Sequence, residues 1–103
     1  MSTPDKTLAD LLRSGIHTNI QNILMRISDR EIAICMLYLS EKDEAFLLSF
    51  LSSVKQKRIK QEQVYVKSLH LRYPQYRTVI DDVILRLQGL SGEGIRSYVR
   101  PRR

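Results

Sequence analysis

Residues 28–39 constrain this chain more than any other stretch. Ser28-Asp-Arg-Glu31 has the composition of a capping box. In that device the entry hydroxyl accepts the backbone N–H three residues on, and the carboxylate there accepts the N–H of the hydroxyl's own residue. Directly behind it come Ile32, Ala33, Ile34, Cys35, Met36, Leu37 and Leu39, interrupted only by Tyr38. A helix without a polar face must be covered on several sides, so other segments are expected to wrap around residues 32–39 as a hub. The β-branched content leaves a buried strand open for this run, but the box in front of it favours helix.

The flanking segments have the patterning to do the wrapping. Pro4 behind Thr3 reads as a helix start, because proline at the first helical position gives up an N–H that would have no partner. Leu8, Leu11 and Leu12 recur at helical spacing, and Gly15 is expected to supply a left-handed stop. Ile20, Ile23, Leu24 and Ile27 form the apolar face of a second helix, from Thr18 or Asn19. Ser40 opens another, with Glu41, Asp43 and Glu44 suited to the positive end of its dipole and Phe46, Leu47, Phe50 and Leu51 facing inward. Ser52 or Ser53 caps a long helix over 53–69 with few apolar residues, whose inner stripe is expected to be Val54, Ile59, Val66 and Leu69. After a connector at 70–73, Pro74 begins a last helix with Val79, Ile80, Val83, Ile84 and Leu87 inside and Gly89 as its stop. The expectation is an all-α chain, a compact bundle or armadillo-like stack of five to six short helices. One domain spans 1–94, and a basic tail at 95–103 carries Arg96, Arg100, Arg102 and Arg103.

Charge divides the 103 residues. Residues 1–54 hold five basic and seven acidic side chains, net −2; residues 55–103 hold twelve and four, net +8. Such asymmetry favours an anionic partner. No apolar run approaches the roughly 20 residues needed to span a bilayer. The single cysteine, Cys35, sits in the apolar run and fits a reducing compartment. A cytoplasmic protein is expected.

The residues of catalysis are sparse. His17 and His70 lack partners at metal-ligand spacing, and the Ser91-Gly-Glu-Gly loop lacks the lysine and helix of a phosphate cradle. Asp81 and Asp82 diverge by about 100° on a helix and read as a solvated face. Cys35, Met25 and Met36 read as core filling. No enzyme, cofactor or metal is expected. What stands out is Lys55, Lys57, Arg58 and Lys60 within one and a half turns, with Lys67 beyond. They read either as a surface for phosphates or an acidic protein, or as a solubilising outer face. Tyr65, Tyr73, Tyr76 and Tyr98 appear scattered through helix, connector and tail rather than grouped as a nucleic-acid platform.

The helix order resembles the C-terminal helical domain of the flagellar motor switch protein FliG. The pieces are Asn19-Ile-Gln-Asn-Ile-Leu-Met-Arg-Ile27, Ser28-Asp-Arg-Glu-Ile-Ala33, Glu44-Ala-Phe-Leu-Leu-Ser-Phe-Leu-Ser52, and Val83-Ile-Leu-Arg-Leu87 with Gly92-Glu93. They follow the family's order almost without gaps over residues 19–93. The resemblance implies a rotor module at the cytoplasmic face of the flagellar basal body. Its long surface helix, here 53–69, would meet the membrane-embedded stator, and other faces would dock on switch proteins. Lys55, Lys57, Arg58 and Glu62 are the partner-binding residues it suggests. The charges depart from the family pattern: of its acidic pair on the long helix only Glu62 is matched, and its central-helix basic residue falls at Leu37. A small basic nucleic-acid-binding protein, using the same helix and the arginine tail, is the alternative.

Overall fold

The structure, a computed structural model, describes residues 3–91, with side chains described up to 89. Six α-helices account for most of them: α1 Pro4–Ser14, α2 His17–Arg26, α3 Asp29–Cys35, α4 Glu41–Leu48, α5 Ser53–Ser68 and α6 Tyr73–Ser91, with a 3-10 turn at Met36–Tyr38 after α3. There is no strand among the described residues, and none of their helices is long and apolar enough to cross a membrane. The expected tail at 95–103 and the loop at 92–94 lie outside the described residues.

The hub is helical. The Ser28 hydroxyl accepts the Glu31 N–H at 3.2 Å, and the Glu31 carboxylate accepts the Ser28 N–H at 3.4 Å, closing the capping box. Ile32, Ala33, Cys35 and Met36 are almost wholly buried, with α3 packed mainly against α5 and α6. Helix α6 in turn lies along α1 and touches α2, through Ile80, Val83, Ile84 and Leu87. Serine caps recur, since each exposed helix start otherwise leaves its first N–H groups without partners. Ser40 takes the Asp43 N–H and Ser52 the Lys55 N–H, each at 3.2 Å. The turn between α4 and α5 is tied by glutamines: Gln56 donates to the Leu48 and Leu51 carbonyls, and Gln21 to that of Phe50.

Several sequence expectations are corrected. Gly15 is not left-handed: its φ is −81° and ψ 167°. A Cβ at Gly15 would meet the tip of the Ile20 side chain, which would have to shift to make room. The left-handed residue is His70, φ 51°, which turns the chain between α5 and α6. Gly89 does not stop α6, which continues to Ser91; a lone glycine weakens a helix without forcing its end. Met25 is on the surface and only Met36 fills the core. The phase of α5 also differs. Ile59 and Val66 face inward as expected, but Val54 is 61% exposed and Leu69 is exposed at the helix end, while Lys55 takes the inward position.

Candidate functional site

Helix α5 carries the chain's densest run of basic side chains, and its position between α3 and solvent sorts them into two sets. On its inner face Lys55, Ile59 and Val66 follow helical spacing. Lys55 is only 5% exposed. Its ammonium donates to the Ile27 carbonyl at 2.9 Å and to Asp29 Oδ1 at 2.8 Å. A buried ammonium is tolerable only with such partners. Asp29 lies in the first turn of α3, where the helix dipole favours a carboxylate. Its other oxygen accepts from Arg58 Nε at 2.9 Å. The Lys55 hydrogen bond, and then Arg58, hold the Asp29 carboxyl below the ordinary carboxylate range against the opposing effect of burial.

The flank toward α3 is likewise internally paired. Arg30 Nε donates to Glu62 Oε1 at 3.0 Å, and the Arg30 guanidinium lies 4.6 Å from the Tyr65 ring centroid. Gln63 donates to Glu44 at 3.2 Å. Of the four residues expected to meet a partner, then, Lys55 is a buried tie between α5 and α3 and is not available at the surface. Arg58 and Glu62 are at the surface but already clasp Asp29 and Arg30. Lys57 alone is both exposed and without an ion pair to the described residues.

Lys60 and Lys67 share that condition and complete an outward set with Lys57. Glu62, the single acidic residue of α5, points away toward Arg30. The outward face is therefore purely cationic in its charges. Sequence reading had noted Lys60 and Lys67 but could not separate them from Lys55, because which lysine turns inward depends on where Asp29 sits.

One grouping was missed altogether. Tyr38, Tyr73 and Tyr76 converge from the 3-10 turn and the start of α6. The Tyr38 and Tyr76 ring centroids are 4.6 Å apart, edge to face, and those of Tyr73 and Tyr76 are 5.6 Å apart. Tyr76 is buried and its hydroxyl has no hydrogen-bond partner among the described residues; burial pushes its pKa up. The cue in the sequence is slight, since Tyr38 looked like an interruption in an apolar run.

Other groups carry less. Cys35 is buried and its thiol is pushed up to about 12 by burial, with Glu31 and Asp82 adding to the shift, the reverse of an activated nucleophile. Asp81 pairs with Arg77 and Asp82 with Arg86, so the adjacent acids diverge as expected. Surface clefts among the described residues include one lined by Leu11, Gly15, Ile16, Ile20 and Leu87 among others, with a volume of about 250 Å³, and one of about 350 Å³ between Ile23, Ile27, Arg26 and Arg86. Comparison of the chain with protein-family models, with curated proteins and with solved structures finds no match.

Proposed function

We propose that this chain is a non-enzymatic protein-interaction module that docks an acidic protein surface on the outward face of α5. We place that docking in a flagellar rotor assembly, among switch or stator components at the cytoplasmic face of the basal body. The observation that carries the docking is the set Lys57, Lys60 and Lys67, exposed and without ion pairs to the described residues, on the solvent-facing side of α5. Three like charges left unneutralised within about 15 Å of helix repel one another and are relieved by an acidic partner. The flagellar setting rests on the resemblance of residues 19–93 to the FliG C-terminal domain, whose corresponding long helix is its contact surface.

The test is charge reversal at Lys57, Lys60 and Lys67 together, each to Glu, in the encoding organism. Loss of swimming, and loss of rotor, switch or stator proteins from pull-downs, is expected with helical circular dichroism unchanged. Unaltered motility and pull-down in the folded variant would refute the reading. Binding of RNA or DNA at low salt that falls steeply as salt rises, with motility unaffected, would assign the face to nucleic acid instead, because such binding is driven by counterion release.

A further inference from the structure

Helix α5 is packed on one side and yet carries apolar residues on both. Ile59 and Val66 are buried against α3, while Val54 is 61% and Val64 73% exposed. At about 100° per residue, Val54, Lys57, Gln61, Val64 and Ser68 fall within about 80° of one another, opposite the buried stripe. Their spacing is 3-4-3-4, the interval at which one helix meets another lengthwise. Val54 and Val64 stand about 15 Å apart along this seam. Lys60 and Lys67 run beside the seam on one flank, and Arg58 and Tyr65 run on the other.

From this arrangement we infer that the occupant of the outward face is an acidic amphipathic helix lying along α5, its apolar residues on Val54 and Val64 and its carboxylates on Lys57, Lys60 and Lys67. The inference rests on the docking proposed above and narrows its partner to one shape and chemistry. Two features select a helix over an irregular acidic surface or a nucleic acid. The seam keeps a 3-4 register for more than three turns, which only a partner of matching period follows throughout. The two valines that border it offer nothing to a phosphate backbone but supply apolar burial to a protein side chain. Charge settles the sign: the seam and its flank offer Lys57, Lys60 and Lys67 without ion pairs to the described residues, and the sole acid of α5 is engaged by Arg30.

The experiment uses the full chain and synthetic fluorescent peptides of about three heptads, followed by anisotropy. The first has leucines at 3-4 spacing flanked by glutamates. The second has the same composition with its leucines dispersed around the helix, and the third has lysine for every glutamate. A mixed-sequence single-stranded RNA is titrated alongside. Binding of the first peptide is expected to be about tenfold tighter than that of the second, and Val54→Ser with Val64→Ser should weaken it by a similar factor. Lys57→Glu with Lys60→Glu should abolish it, and the lysine peptide should not bind. Equal binding of the first two peptides, indifferent to the valines, would overturn the helical register while leaving acidic docking standing. Failure of every acidic peptide to bind would overturn both. RNA binding tighter than the first peptide and insensitive to the valine substitutions would overturn the protein partner itself.

Discussion

Tyr76 shows how tightly the core is set at the scale of one residue. Its ring fills the space beneath Tyr38 and Tyr73, while its hydroxyl lies buried without a partner among the described residues. An unsatisfied buried hydroxyl costs about 1–3 kcal/mol, whereas the ring alone retains the packing. Tyr76→Phe is therefore expected to raise stability by about 1 kcal/mol in urea unfolding; a loss of that size would mean the hydroxyl is bonded in solution. Lys55 and Asp29 show the opposite case. Removing Asp29 strands a buried ammonium, so Asp29→Ala should cost about 3 kcal/mol, while Lys55→Met, with Arg58 still holding Asp29, should stay within about 1 kcal/mol of the parent. The same pair sets a pH dependence. Asp29 has a lowered pKa when folded, so its contribution is present in full above its unfolded value of about 4 and is lost as pH falls through the lower folded value. Stability should drop below about pH 4, with a shallower fall in Asp29→Asn. The choice of Lys55 over Val54 as the inward residue was not legible in the sequence, because hydrophobicity favours the valine. An acid on a different helix decides it.

At the scale of elements, the starts of α3, α4 and α5 were legible because their causes are local, whereas α2, with Ile16 and no side-chain cap before it, starts at His17 rather than at Thr18 or Asn19. Ser28, Ser40 and Ser52 each bond an N–H three residues on, and a serine placed before a helical pattern is enough to announce that. The stops were less so. Gly15 and Gly89 looked like left-handed or terminal stops, but the first follows α1 in extended backbone and the second lies within a continuing helix. Among the described residues the one left-handed turn falls on His70; histidine is among the residues that enter that backbone more readily, but nothing local in the sequence marks position 70 for it. Left-handed backbone is strained for a residue with a Cβ, so His70→Gly is expected to stabilise the chain by about 0.5–1 kcal/mol in thermal or denaturant unfolding. A destabilised His70→Gly would show that the imidazole makes a contribution exceeding that strain.

At the scale of the molecule, α3 is the hub on which α5 and α6 converge, and this division gives α5 its two faces. The inner one holds the fold together through Lys55, Ile59 and Val66; the outer one presents Lys57, Lys60 and Lys67 alongside Val54 and Val64. The hub could be read from the sequence because an all-apolar helix behind a capping box has few alternatives. The outward face could be read only as a basic helix: Lys57, proposed for docking, and Lys55, which ties α5 to α3, are two residues apart, and packing alone separates them. A comparison of Lys57→Glu/Lys60→Glu with Lys55→Met, in swimming and in recovery of flagellar rotor, switch and stator proteins, tests this division most directly. The account predicts loss of both in the first variant, which remains helical, and retention of both in the second. Retention in the first with loss in a stably folded second would contradict it.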